Sequence, residues 1–209
     1  MAGFFVTGTD TDVGKTVAAA WVTLQLDGCY WKPVQSGLSE GRTDTEVVHA
    51  LTGFAPARFL KSRYSLTEPL SPHEAARLDG VVIKLEDFWL PQVERPLIIE
   101  GAGGVLVPLN GEETMRDLMR HLGLPLIVVA RSSLGTINHT LLTLEALRAR
   151  DLPIAGVILN GVPNAANQAA IEKFGKVRIL AALPRFSPLS TAALAETMPL
   201  IPPQDWDLI

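Results

Sequence analysis

The sequence predicts a three-layer α/β/α sandwich built on a mostly parallel, doubly wound sheet, and three observations lead there. Short apolar runs recur along the chain without strict polar alternation, the pattern of strands covered on both faces. Segments with helical spacing separate them, so each strand feeds a right-handed crossover. Polar or glycine-rich stretches follow several runs, at the carboxyl ends of strands where such sheets take their ligands.

In chain order the runs are F-F-V (4–6), C-Y-W (29–31), L-I-I (97–99), L-I-V-V-A (126–130), I-A-G-V-I-L (154–159) and V-R-I-L-A-A-L (177–183). A short first helix is expected after G-K-T (14–16), and others at 44–51, 72–78, 114–122, 136–150 and 166–174. The stretch 136–150 is the clearest, with Ile137, Leu141, Leu144, Ala146 and Leu147 near one face and Gly135-Thr136 as its start. Pro69, Pro72, Pro108, Pro163, Pro184 and Pro188 punctuate the loops. With no repeat, linker or low-complexity segment, residues 1–209 read as one domain. Its 47% hydrophobic residues suffice for a chain of this size to bury about 70% of its unfolded surface.

Composition narrows the function classes. A single cysteine, Cys29, excludes an internal disulfide and a cysteine-rich metal cluster, and it is expected in a buried strand. The net charge of −4, a pI near 5.6 and the absence of any Lys/Arg run argue against a nucleic-acid partner. No apolar stretch approaches the ~20 residues of a membrane span, and the N-terminus lacks a basic leader, so a soluble, cytoplasmic protein is expected.

The first strand runs into V-T-G-T-D-T-D-V-G-K-T (6–16), which looks like a phosphate loop with one residue too many. Five residues separate Gly8 from Gly14 where the standard loop has four, and Thr9 stands where the first glycine is expected. Strand, glycine turn, Gly-Lys-Thr and helix in that order still make an anion cradle. Lys15 adds a cation that reaches terminal phosphates, and the Thr16 hydroxyl suits a magnesium ion. Magnesium takes oxygen ligands and few carboxylates. Two stand out: Glu100, ending L-I-I before G-A-G-G, and Asp44, which opens a helix and could equally serve only as its cap. K-P-V-Q-S-G (32–37) brings Lys32 as a second cation for the γ-phosphate and Ser36 as a polar contact for a small substrate. As a loop lysine, Lys32 is expected to matter little to the core, so that Lys32→Ala keeps the fold. His73 and His139 read as helix-start support and helix surface, and the serines lack a nucleophile elbow.

Taken in order, G-T-D-T-x-V-G-K-T, K-P-V-x-S-G, P-L-S-P-H, E-G-A-G-G, L-G-x-I-N-H and a later Asn at a strand end resemble the dethiobiotin synthetase family, from residue 4 to about 186. The family's loop carries the same extra residue. The resemblance implies a P-loop NTPase-like fold, a homodimer, and Mg2+- and ATP-dependent closure of a cyclic urea on 7,8-diaminononanoate with CO2. By matching motif it makes Lys15, Lys32 and Thr11 catalytic, the lysines gripping phosphates and carbamate and Thr11 touching the carbamate. Thr16, Asp44 and Glu100 would hold the metal. The ATP site it implies comprises Asp12, Val13, Gly14, Lys15, Thr16, Val17, Asp44 and Glu100, then Gly101, Ala102, Gly103, Asn160 and Gly161. Asn160 would read adenine, and Pro184, Arg185 and Phe186 would line the base. Ser36, Gly103 and Gly104 would position the diamine, and Gly135, Thr136, Ile137 and Asn138 would serve the neighbouring subunit's substrate. The chain departs from the family pattern at Asp12, where Glu is common, at Gly161, where Asp follows the Asn, and after Pro184, where no acidic residue stands at the distance of a ribose contact.

Two other readings share the fold. An amide ligase of the cobyrinate-diamide or CTP synthetase type needs ammonia from a glutaminase with a nucleophilic cysteine, and Cys29 lies in the wrong context. A ParA/MinD-like ATPase switch typically carries an extra lysine early in the loop, where this chain has Thr9, Asp10 and Thr11.

Overall fold

The computed structural model describes residues 3–206. The strands are β1 (Phe4–Gly8), β2 (Cys29–Trp31), β3 (Val34–Gln35), β4 (Phe59–Leu60), β5 (Tyr64–Ser65), β6 (Leu97–Gly104), β7 (Leu126–Arg131), β8 (Ile154–Asn160) and β9 (Ile179–Leu183). Seven of them join one parallel sheet in the order β4-β2-β6-β1-β7-β8-β9, while β3 and β5 form a separate parallel pair. Strand order reverses direction on either side of β1, so the sheet is doubly wound, as expected, and its ligand crevice opens beyond the carboxyl end of β1.

The helices are α1 (Lys15–Gln25), α2 (Asp44–Thr52), α3 (Pro72–Leu78), α4 (Met115–Leu122), α5 (Thr136–Arg148), α6 (Ala165–Gly175) and α7 (Thr191–Ala195). On one face of the sheet, α1, α2 and α7 pack over Phe4, Val6, Tyr30 and Ile98. On the other, α3, α4, α5 and α6 pack over Phe5, Trp31, Ile99 and Val128. The α1 residues Ala18, Ala19, Ala20, Trp21 and Val22 are all fully buried, and small alanines let this helix lie close between the sheet and its flanking helices. Cys29 is buried in β2.

After α7 the chain returns to α1. The Trp206 ring stacks on Trp21 at 5.8 Å and meets Phe4 edge-on at 5.7 Å. Trp206 Nε1 donates to the Ile201 carbonyl, and Trp21 Nε1 to that of Thr197.

Some details differ from the sequence reading. The two-residue strands β3, β4 and β5 are too short to show periodicity, and α7 is a single turn. β6 continues through G-A-G-G to Gly104, which pairs with Gly8 of β1 after a shift in register beyond Val6 and Glu100. Glu100 therefore lies inside β6 rather than at its end. Among the described residues no helix is long and apolar enough to cross a membrane.

Candidate active site

Strand register alone gathers the central charges. Tyr30 lies opposite Ile98 and Trp31 opposite Ile99, so Lys32, the next residue, comes abreast of Glu100. On the far side of β6, Val6 pairs with Glu100. Alternation then turns Tyr30, Lys32, Ile98 and Glu100 to the face covered by α1 and α2. Lys32 Nζ sits 3.0 Å from Glu100 Oε1 and 2.8 Å from Asp44 Oδ2, and it donates to the Gly101 carbonyl at 2.9 Å. Thr16 Oγ1 is 2.9 Å from Glu100 Oε1 and 3.0 Å from Asp44 Oδ1. A hydroxyl has one proton to donate, so only one of these two contacts can be a hydrogen bond at any moment. The other leaves oxygen facing oxygen, a place that suits a cation.

Asp44 reaches this cluster because it is not the cap of α2. Thr43 is, in a reciprocal box with Glu46: Thr43 Oγ1 accepts from the Glu46 amide at 3.2 Å, and Glu46 Oε2 from the Thr43 amide at 2.8 Å. The Asp44 amide donates to Gln35 Oε1 at 3.1 Å, leaving its carboxylate free for Lys32 and Thr16.

Lys32 and Glu100 are 4% and 1% exposed, which makes charge pairing obligatory. Burial by itself lowers the Lys32 pKa, but the Glu100 and Asp44 carboxylates together outweigh it and hold the value above the ordinary one. Burial likewise raises Asp44, and Lys32, Thr16 and Gln35 more than reverse this. Lys15 shows the opposite balance: burial and the nearby Lys32 charge keep its pKa below the ordinary lysine value.

The lengthened loop is braced at Asp10. Asp10 Oδ1 accepts from the Thr11 amide at 2.8 Å, Oδ2 from Arg131 Nη2 at 2.7 Å, and the Asp10 carbonyl from Lys15 Nζ at 2.8 Å. Gly14 caps α1 at φ 90°, and a Cβ there would come within 1.9 Å of Asn160 Nδ2, which donates to the Val13 carbonyl at 2.9 Å. Only glycine allows the end of β8 to approach the loop this closely.

A hollow of about 370 Å³ over the cluster is lined by Thr11, Asp12, Gly14, Lys15, Thr16, Lys32, Ser36, Asp44, Glu100, Ala102 and Gly103. Ser36 Oγ is buried there with no partner among the described residues, as a group awaiting a ligand would be. A neighbouring depression of about 550 Å³ is lined by Asp12, Val13, Asn160, Gly161, Arg131 and Arg185. Pro184 and Phe186 do not line it; Phe186 packs against the core under α1. Val17 also packs against that core. Gly104 lines a third hollow, of about 470 Å³, with Thr9, Thr11 and the α5 residues His139 and Leu142. Gly135, Thr136, Ile137 and Asn138 open α5 and line none of the three.

Three residues at the site escaped the sequence reading: Tyr30, whose hydroxyl donates to Glu100 Oε2 at 2.7 Å, Gln35, and Arg131. The signal for Tyr30 was available, since a phenol in a buried run needs an acceptor. Among the described residues no three His, Cys, Asp or Glu side chains gather as a metal site; here two carboxylates, Asp44 and Glu100, meet the Thr16 hydroxyl instead.

The parallel sheet, the loop between β1 and α1 and the carboxylates facing Thr16 define a protein of the P-loop nucleotide-binding class. A ParA family ATPase from Chlorobium tepidum superposes with a TM-score of 0.54 at 17% identity, over 94% of this chain and 90% of that one, a likeness of fold alone. The family described as AAA domain matches residues 2–193. The ATP-dependent dethiobiotin synthetase BioD of Paramagnetospirillum magneticum is 52% identical over 95% of this chain and 96% of its own length. That of Rhodopseudomonas palustris is 51% identical over 92% and 91%. The chain belongs to the ATP-dependent dethiobiotin synthetase family and is an ATP-dependent ligase.

Proposed function

We propose that this chain, as one cytoplasmic domain spanning 1–209, closes the cyclic urea of dethiobiotin on 7,8-diaminononanoate, consuming CO2 and ATP and releasing ADP and phosphate. The observation that carries the reading is the Lys32 cluster beside the phosphate loop: two cations, two carboxylates and an orphaned serine hydroxyl with no base hydrogen-bonded to it to make it a nucleophile. Such a site suits a reaction in which the substrate supplies every nucleophile and the protein supplies position and charge.

One amine of the substrate attacks CO2 and loses a proton, giving a carbamate. A carbamate oxygen then attacks the γ-phosphorus of ATP and ADP departs. The second amine attacks the carbonyl carbon of the mixed anhydride and gives up a proton, and phosphate leaves as the ring closes. Lys15 and Lys32 meet the charge on phosphates and carbamate, with Thr11 at the carbamate. Ser36 and the Gly103-Gly104 backbone hold the diamine. Asp12 to Val17 and Gly101 to Gly103 wrap the phosphates. Asn160 and Gly161 meet the base, and Pro184, Arg185 and Phe186 line it. The oxygen-only set of Thr16, Asp44 and Glu100 fits magnesium, which when bound would neutralise the β- and γ-phosphate oxygens.

We read the working unit as a homodimer, in which Gly135, Thr136, Ile137 and Asn138 of α5 reach the neighbouring subunit's substrate. A helix start suits a carboxylate.

The test is to follow ADP with and without each cosubstrate. Formation should require both the diamine and CO2, because only the carbamate brings a nucleophile to the γ-phosphate. Hydrolysis of ATP at the same rate without them would replace this reading with an ATPase switch.

A further inference from the structure

The two oxygens of Glu100 have different neighbours. Oε1 faces Thr16 Oγ1 and Lys32 Nζ, while Oε2 accepts from the Tyr30 hydroxyl at 2.7 Å. Tyr30 lies opposite Ile98, two residues before Glu100 on the same face, so its ring spans about the 6–7 Å that two parallel-strand residues cover. Tyr30 is 0% exposed, and its ring also meets Phe59. A phenylalanine would fill this space without burying a hydroxyl, so packing gives no reason for the oxygen. A carboxylate oxygen can only accept, so the phenol's one proton goes to Glu100 Oε2.

We propose that Tyr30 is a positioning residue for the metal–nucleotide site, fixing the rotation of the Glu100 carboxylate so that Oε1 is presented beside Thr16 and Asp44. The terminal torsion of a glutamate is broad and nearly two-fold, and a fixed donor on one oxygen removes that freedom. Donors behind a metal-binding carboxylate orient it and tune its affinity. The inference rests on the magnesium reading of the proposed function.

Tyr30→Phe keeps the ring and tests the hydroxyl. Mn2+ titrated onto the ADP-saturated protein, with the ion followed by electron paramagnetic resonance, should bind about 10–100-fold more weakly than to the native chain. ADP affinity without metal should not change. A hydrogen bond that serves folding alone would lower the melting temperature and leave Mn2+ affinity intact; that result overturns the inference and leaves the proposed function standing. A native chain that holds Mn2+ no better than its Thr16→Val variant overturns the metal reading, and the inference with it. If Tyr30→Phe does not fold, a second measurement decides. The chain has two tyrosines, and Tyr64 donates to Asp87 in another part of the fold. With 3-fluorotyrosine at both, the Tyr30 fluorine resonance should move when Mg2+ joins the ADP complex while that of Tyr64 stays. A Tyr30 signal indifferent to Mg2+ overturns the inference.

Discussion

Glu100 and Asp44 face one another across the Lys32 ammonium, so Lys32→Ala leaves a buried carboxylate without its nearest cation. Removing one partner of such a pair costs about 3–5 kcal/mol. Turnover should fall by about 10²–10³, the scale of one lost transition-state charge contact. Urea denaturation alongside ADP release separates the two losses: adding Glu100→Gln to Lys32→Ala should return stability and leave turnover low. The sequence reading, which treated Lys32 as a loop lysine of little weight in the core, has to be corrected here. K-P-V-Q-S-G shows a turn, and nothing in it reveals that the parallel register draws the lysine under α2. Asp44 was ambiguous for a related reason. Its place at a helix start was legible, but the choice between cap and ligand depended on Thr43 and Glu46 taking the capping role.

Helix starts and the returning C-terminal segment set the next scale. At α4, Asp117 Oδ2 accepts from the Thr114 amide at 2.9 Å and from its hydroxyl at 2.8 Å. Burial works to raise the Asp117 pKa, but these two donors, with Arg116 and Arg150 nearby, hold it below the ordinary value. The carboxylate thus binds its proton less tightly in the folded chain than in the unfolded one. Its contribution is complete above the ordinary carboxylate range and fades as pH falls through the lowered folded value. Asp117→Ala should cost about 0.3–1.5 kcal/mol at neutral pH, and its denaturation midpoint should converge on the native one in acid. Trp206 is the larger lever. Trp206→Ala empties the space against Trp21 and Phe4 and should cost about 3–5 kcal/mol, read as a fall in melting temperature. The six apolar runs were legible as strands because each is long enough to show its burial. The packing of Trp206 was not, since P-P-Q-D-W carries no period and its meaning lies in α1, far back in the chain.

At the scale of the whole molecule, Leu106 and Leu142 stand exposed around the hollow between the phosphate loop and α5. If this face joins two copies, sedimentation equilibrium should give a dimer, and Leu142→Arg should yield monomers that bind ADP yet turn over slowly. A monomer with full activity would remove the shared site from the proposal. The doubly wound plan itself was legible because strand and helix signals alternate, whereas the sheet order could not be read from strands taken singly. That order also governs how the chain reaches its native state. β1 is the earliest strand, yet it pairs with β6 and β7, whose residues Ile98 and Ile127 come very much later in the chain. Such distant closures make folding slow, in the range of milliseconds to seconds or beyond. Until they form, F-F-V-T-G waits with both edges bare and apolar, so refolding yield should fall steeply with protein concentration, and a chaperone that shelters the first residues should restore it.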